Sequence, residues 1–188
     1  MRRDSLLPAL GVMQFDTADL LRMETDGSLE SVIFHEVGHV LGMGTLWEDM
    51  SLLDGAGTVN PVFTGRNAMR EFATVIGSNE PTPVPVENKG GPGTRDGHWR
   101  ESVLGAELMT GFLGAAPNPV SRVTIAAMQD MGYEVNFDAA DAFALPSPLE
   151  LALIGIGAIV HPQGCMTAGV LRRAAPIKVL PKDAELAG

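Results

Sequence analysis

The sequence predicts an α+β fold that contains more helix than strand. Residues 29–41 carry apolar side chains at helical spacing between turn-forming residues, and residues 122–131 are organised in the same way. Residues 11–15 have the composition of a β-strand. These three segments establish the class, and the two helices carry more of the prediction than the strand does.

The N-terminal segment offers a single strand, Gly11-Val12-Met13-Gln14-Phe15, which ends at Asp16-Thr17. One strand is not stable alone, because about three strands are needed for an independently stable sheet. The apolar stretch at residues 6–10 is short and is broken by Pro8, so it does not have the pattern of an export signal. We therefore expect little sheet ahead of the first helix.

The first predicted helix contains the motif His35-Glu36-Val37-Gly38-His39. Histidines at i and i+4 lie on one face of a helix, where both imidazoles can bind one metal ion, and the glutamate can take a proton from a water at that ion. Residues 26–28 can start this helix of about fourteen residues, Gly42 can end it, and its apolar surface predicts that it is mostly buried. The alternative is a pair of core histidines, which would leave Glu36 as a costly charge with no metal nearby.

A catalytic zinc ion needs a third protein ligand and a position open to water. The compact pattern His-Glu-x-x-His-x-x-Gly-x-x-His is half present, because Gly42 is in place but Thr45 occupies the position of the last histidine. A remote ligand is therefore required. His98 is favoured, since it is followed by a segment whose Met109 can lie beneath the metal. The other candidates are His161, Glu48, Asp49, Glu71 and Glu101.

Four ordered segments resemble the leishmanolysin-type metzincin peptidases, over roughly residues 11 to 145. They are His35 to Gly42, His98-Trp99-Arg100-Glu101, Glu107-Leu108-Met109-Thr110, and Ser121 to Tyr133. In that family the third zinc ligand is a distant histidine that an insertion separates from the helix, and a Met-containing turn lies beneath the metal. The parasite members are rich in disulfides, whereas Cys165 is the only cysteine here, so the chain resembles the cysteine-poor bacterial relatives.

The resemblance implies a metzincin-like zinc protease core, made of the zinc helix and a helical C-terminal subdomain. The implied site consists of His35, His39 and His98 as ligands of one catalytic Zn²⁺ ion, Glu36 as general base, Met109 as the Met-turn residue, and Gly42 at the helix end. Residues 1–145 are then a partial catalytic domain with an insertion at 46–97, and residues 146–188 are a C-terminal tail. Metzincins place a mostly parallel sheet before the zinc helix, and we expect that sheet to be largely missing from this chain.

The insertion is rich in proline and glycine from Gly77 to Gly97, which predicts an ordered surface loop or a flexible flap rather than a second domain. Residues 67–76 predict a short helix with four apolar side chains on one side. They are Ala68, Met69, Phe72 and Ala73. The insertion either walls the substrate cleft and brings His98 to the metal, or merely returns the chain to the site.

The second helix is predicted at residues 122–131, between the capping residue Ser121 and Gly132, and its Ala126 and Ala127 indicate close packing against another element. Residues 133–137 alternate like a short strand. A catalytic role for Tyr133 is a minor alternative. The longest apolar run, residues 151–160, is about half of what a membrane-spanning helix requires, so we expect no transmembrane segment in this chain.

The formal net charge is −10, which argues against nucleic acid and against an anionic membrane surface as partners. The expected partners are protein or peptide substrates. The resemblance implies a zinc-dependent metalloendopeptidase and favours a secreted or cell-surface location, although the sequence shows no signal peptide. Two alternatives stay open: an inactive zinc-binding domain, and an interaction module that keeps the protease fold without metal.

Overall fold

The structure is a computed structural model that describes residues 6–113 and 117–152. The prediction of a tail beyond residue 152 and the alternative ligand His161 lie outside the described residues. Helices dominate the described part of the chain. They are α1 (Thr17–Asp26), α2 (Leu29–Val40), α3 (Arg66–Ile76), α4 (Glu101–Leu104) and α5 (Arg122–Asp130), followed by a 3₁₀ turn at Phe137–Ala139 and by helical residues at 148–152.

A small antiparallel sheet lies between α2 and α4 in the sequence. Its strands, in spatial order, are β1 (Leu53–Asp54), β2 (Val62–Phe63) and β3 (Val84–Pro85). Phe63 of β2 is opposite Leu53 on one side and Val84 on the other. This mixture of helices with a small sheet is compatible with the predicted α+β class.

The core is built around three aromatic side chains, Trp47, Phe63 and Trp99, all of which are completely buried. The two indole rings stack with their centroids 4.7 Å apart, and Phe63 meets both of them edge-on. Trp99 follows His98 directly, so the core holds the segment that carries this histidine. Val84 and Val86 are also completely buried, which differs from the surface loop predicted for residues 77–97.

Helices α3 and α5 pack against each other, as the small residues of α5 predict. Ala126 and Ala127 are completely buried there. The Asp130 carboxylate of α5 accepts hydrogen bonds from the backbone N–H groups of Asn67 and Ala68 at 2.9 Å each, and so caps the start of α3. The two predicted helices at 67–76 and 122–131 are therefore confirmed within a residue at each end.

The strand predicted at residues 11–15 is wrong. This segment is irregular, and Val12 is 77% exposed. A strand is stabilised by its neighbours, and no neighbouring strand is present among the described residues before α2. Helix α1, which was not predicted, follows instead. Its start is capped by Asp16, whose side chain accepts from Ala18 N–H, and it ends at Gly27 with a φ of 76°.

Two further expectations need correction. Helix α2 is only partly buried, because its apolar residues are half-exposed and Phe34 is 55% exposed, whereas His35 and His39 are buried. The strand predicted at residues 133–137 is wrong. Residues 133–136 are irregular, and the side-chain oxygen of Asn136 accepts a hydrogen bond from Asp138 N–H, which starts the 3₁₀ turn at residue 137. The Tyr133 hydroxyl donates to the carbonyl oxygen of Leu41 at 2.8 Å, which ties this segment to the end of α2.

Candidate metal centre

Helix α2 brings the first two histidines together. Just before the helix begins at Leu29, the Asp26 carboxylate accepts hydrogen bonds from the backbone N–H and the hydroxyl of Ser28. From there the 3.6-residue period places His35 and His39 on one face, one turn apart. Their Nε2 atoms are 3.0 Å apart, and both residues are buried. The helical spacing in the sequence therefore produces a pair of nitrogens that face one point.

The turn after α2 brings the third histidine to this pair. The helix ends at Val40, Gly42 follows with a φ of +110°, and Gly44 has a φ of +70°. A Cβ atom at Gly44 would overlap the backbone carbonyl of Gly97, so only a glycine lets the two segments approach this closely. The contact places residue 98 beside the end of the helix.

His98 completes a group of three imidazoles. Its Nε2 lies 3.2 Å from that of His35 and 2.9 Å from that of His39, and the residue is completely buried. Within residues 6–113 and 117–152, this is the group of histidine, cysteine and carboxylate side chains that can hold a metal ion with three ligand atoms. The alternative ligand Glu71 forms an ion pair with Arg122 instead, at 2.8 Å.

The other ring nitrogen of each histidine bonds to a backbone carbonyl oxygen. His35 Nδ1 lies 2.6 Å from Leu108 O, His39 Nδ1 lies 2.8 Å from Met43 O, and His98 Nδ1 lies 2.8 Å from Thr94 O. A carbonyl oxygen only accepts, so each Nδ1 must donate and therefore carries the ring proton. All three Nε2 atoms are then unprotonated and present lone pairs to one another.

This arrangement fits a zinc ion. Three lone pairs that converge at about 3 Å repel one another, and no hydrogen bond can form between atoms that lack protons. A tetrahedral zinc ion with bonds of about 2.0–2.1 Å would hold its ligand nitrogens about 3.3 Å apart, close to the separations seen here. Imidazole is a preferred zinc ligand, and the carbonyl partners at Nδ1 are those that usually orient a ligating histidine.

The burial of the imidazoles keeps them neutral. Burial lowers the pKa of all three rings, and the neighbouring His39 adds to the effect at His35, whose pKa falls to about 3. A protonated imidazole has no lone pair for a metal, so a lowered pKa keeps the Nε2 atoms available as ligands near neutral pH.

Met109 packs against the backbone of α2. The side chain is buried, and a Cβ atom added at Gly38 would lie 2.6 Å from its Sδ atom and 2.8 Å from its Cε atom. Gly38 is the residue just before His39, so the thioether packs on the stretch of helix that carries both histidines. Glu36 follows His35 on the same helix and is partly exposed.

Several groups that build the site are not visible in the sequence. The carbonyl oxygens of Met43, Thr94 and Leu108 have no side-chain signature, because every residue type carries one. Residue types also hide the buried carboxylate of Glu107, which accepts from Met109 N–H at 2.6 Å, since acidic residues are mostly exposed. Its position within the segment 107–111, between the apolar residues Ala106 and Leu108, is the only sequence signal for it.

Two histidines from the His-Glu-x-x-His motif of α2 and a third from the segment before α4 can bind one metal ion, and this site defines the class of protein as a zinc-binding metalloprotein. The family model for leishmanolysin matches residues 2–154, so the chain belongs to the leishmanolysin family of zinc-dependent metallopeptidases. A leishmanolysin homolog from Crithidia fasciculata is 26% identical over 142 residues, which cover 71% of this chain and 21% of the relative. The chain thus spans about a fifth of the length of the curated relative that it matches.

No solved structure gives a significant match to the chain. Over the residues that the structure describes, none of the helices has both the length and the apolar character needed to cross a bilayer.

Proposed function

We propose that the chain carries the zinc centre of a metalloendopeptidase that hydrolyses peptide bonds of protein substrates. One observation carries the proposal: three Nε2 atoms lie within 3.2 Å of one another in a member of the leishmanolysin family. His35, His39 and His98 would hold the metal. The centre would belong to a partial metzincin-like catalytic domain, residues 1–145 with an insertion at 46–97, followed by a tail at 146–188.

Bound zinc supplies Lewis acidity, which polarises a carbonyl group and lowers the pKa of a water molecule to about 7. The remaining chemistry falls to residues of the chain. Glu36 is the proposed general base, which accepts a proton from the attacking water and then delivers it to the leaving amine. Its place on α2, directly after His35, keeps the carboxylate on the helix that carries two of the ligands.

Met109 and Gly42 have supporting roles in this proposal. Met109 packs under the ligands and takes no part in the chemistry. Gly42 allows the chain to leave α2 in a tight turn toward Gly44, where the segment before His98 arrives. The net charge of −10 supports protein or peptide partners rather than nucleic acid, whose phosphates attract basic surfaces.

A zinc-binding domain without peptidase activity is the second candidate. Metzincins hold the substrate backbone on the edge of a sheet that precedes the zinc helix, and residues 6–28 form no strand. An extended peptide binds a sheet edge through main-chain hydrogen bonds, and the described residues ahead of α2 offer no such edge. Such a domain would bind zinc at the same three histidines.

Glu36→Gln tests the proposed mechanism. We expect the variant to keep stoichiometric zinc, because no ligand changes, and to lose about 10²–10⁴-fold in turnover, the usual contribution of a general base. Zinc is measured by metal analysis, and turnover by digestion of unfolded casein with and without a chelator. Glu30→Gln, an exposed acidic residue on the same helix, is the matched control and should keep full activity.

Each result separates the candidates. Chelator-sensitive cleavage that is lost in Glu36→Gln and kept in Glu30→Gln supports the peptidase and its general base. Retained cleavage in zinc-loaded Glu36→Gln would overturn the role of Glu36. Stoichiometric zinc without any chelator-sensitive cleavage by the unmodified chain favours the second candidate.

A further inference from the structure

We propose that Glu107 is a positioning residue of the metal centre: its buried carboxylate holds the turn at Met109 and thereby orients the His35 imidazole. The inference rests on the proposed zinc site and extends it to a residue that neither binds the metal nor faces the substrate. It starts from the burial of Glu107, which has no exposed surface at all.

Both oxygens of this carboxylate are occupied by donors. Oε2 accepts from Met109 N–H at 2.6 Å, while Oε1 accepts from the N–H of Ser121 at 3.0 Å and from its hydroxyl at 2.8 Å. The Thr124 hydroxyl donates to Oε1 as well. Burial raises the pKa of this carboxyl group, and the four donors act against that rise because they favour its ionised form.

The direction of each hydrogen bond is determined by chemistry. The Trp99 indole N–H can only donate, and it donates to Thr124 Oγ1 at 2.8 Å, so the hydroxyl proton of Thr124 points to Glu107. In the same way Thr124 N–H donates to Ser121 Oγ, whose own proton points to Glu107. The whole network therefore ends on this one acceptor.

The network reaches two of the three histidines through the backbone. Leu108 lies between Glu107 and Met109, and its carbonyl oxygen accepts from His35 Nδ1 at 2.6 Å. On the other side of the turn, the backbone N–H of Trp99, the residue after His98, donates to the carbonyl oxygen of Met109 at 2.9 Å. A shift of the 107–109 turn would therefore move the carbonyl that sets the tautomer and the angle of the His35 ring.

Stability alone does not account for a carboxylate in this place. Burying a charge is costly, and an apolar side chain of similar volume is often as stabilising as a buried charged network. A network that fixes one backbone turn with four hydrogen bonds supplies orientation instead. The two possibilities differ in their consequences, because a purely structural group affects folding without changing the geometry at the metal.

Glu107→Gln tests the proposal with little change in shape. The amide cannot accept on both sides, so its NH₂ group must face either Met109 N–H or Ser121 N–H, neither of which can accept a hydrogen bond, and the turn must move. Two readouts are used: zinc affinity from competition with a chelator, and the visible absorption spectrum of the Co²⁺-loaded protein, which reports ligand geometry. We expect about tenfold weaker zinc binding, the low end of the effect of outer partners of metal ligands, together with an altered Co²⁺ spectrum.

Asp130→Asn is the matched control. Like Glu107→Gln, it changes a carboxylate that accepts several hydrogen bonds into an amide. Asp130 lies in α5, however, and its partners Asn67 and Ala68 belong to α3. We expect this variant to lower thermal stability while zinc affinity and the Co²⁺ spectrum stay those of the unmodified protein. If both variants change the metal site equally, Glu107 has no special positioning role and the proposal is wrong.

A second pair of variants covers the case in which Glu107→Gln does not fold. Thr124→Val removes the hydroxyl that joins Trp99 to Glu107, whereas Thr124→Ser keeps it. Zinc affinity lowered several-fold in Thr124→Val and restored in Thr124→Ser supports the proposal, and equal affinity in the two contradicts it. Failure of the unmodified chain to bind zinc would instead refute the proposed function, so the two failures are distinguishable.

Discussion

Glu101 is a partly buried carboxyl group whose environment disfavours its charge. Burial raises its pKa to about 7, with hydrogen bonds to Thr110 and Phe112 acting against the rise and the nearby Glu87 adding to it. One of its oxygens has no hydrogen-bond partner among the described residues. An ionised glutamate in this position is therefore a source of instability that the fold tolerates above neutral pH.

The sign of the pH effect follows from the raised pKa. Between the ordinary value of 4.5 and about 7, the folded protein binds the proton of Glu101 more tightly than the unfolded chain does. The contribution of this residue to stability is therefore complete below pH 4.5 and is lost as the pH rises to 7, at up to about 1.4 kcal/mol per pH unit.

Glu101→Gln should consequently be more stable relative to the unmodified protein at pH 8 than at pH 5, because the amide cannot ionise. Urea unfolding at both pH values measures this difference, and the titration of other groups cancels in the comparison. Glu48→Gln, an exposed glutamate, is the control and should show no such trend. An equal difference at the two pH values for Glu101→Gln would contradict the prediction.

At the scale of the helix, the contact between α2 and the Met109 turn depends on a missing side chain. A Cβ atom at Gly38 would lie 2.6 Å from Met109 Sδ, so the buried thioether would have to shift within the core. Alanine normally stabilises a helix by about 1 kcal/mol relative to glycine, whereas overpacking a core costs about 1–3 kcal/mol. The two effects have opposite signs, and the clash is the larger one.

A double-mutant cycle separates these effects. We expect Gly38→Ala alone to lower the free energy of unfolding by about 1 kcal/mol, since overpacking exceeds the gain in helix propensity. In a Met109→Ala background the same change should become stabilising, because the clashing atoms are gone. Chemical denaturation of the metal-free proteins measures the free energy of unfolding of the unmodified protein, the two single variants and the double variant. A destabilising Gly38→Ala in both backgrounds would show that Met109 does not limit this position.

The elements that could be predicted from sequence are those whose signals are local. Helices α3 and α5 have clear stop or cap residues, such as Gly77 and Ser121, and α2 has a motif with an apolar periodicity. The strands β1 to β3 have two residues each, which is too short for any alternation to be read. Residues 11–15 were predicted as a strand and form none, because a strand-like composition does not supply the neighbouring strand that would stabilise it.

The candidate site divides in the same way. The spacing of His35 and His39 is a helical property, so their pairing follows from the sequence alone. His98 could be favoured only from the residues after it, because its approach depends on the contact of Gly44 with Gly97. The carbonyl partners of the three rings and the carboxylate of Glu107 depend on the tertiary structure, and residue types do not reveal them.

At the scale of the whole molecule, the metal centre joins parts of the chain that are far apart in sequence. His35 and His98 are separated by 63 positions, and their Nε2 atoms are 3.2 Å apart. Without a cation, three lone pairs meet in a buried space, which destabilises the folded chain. A bound ion would remove this repulsion and would hold the helix, the turn after it and the loop at 94–98 together.

Zinc should therefore raise the stability of the whole domain, and the increase should require His98. At a free zinc concentration of about 100 times the Kd, binding adds about 2.7 kcal/mol, which corresponds to a rise in Tm of roughly 5–10 °C for a domain of this size. The measurement is the Tm with zinc minus the Tm with chelator, taken for each protein separately so that the folding cost of a substitution cancels. His98→Ala should lose most of this difference, because two imidazoles remain, whereas Asp130→Asn should melt earlier but keep the full difference. An equal zinc response in His98→Ala would show that the ion binds elsewhere, and the three-histidine centre would then be wrong.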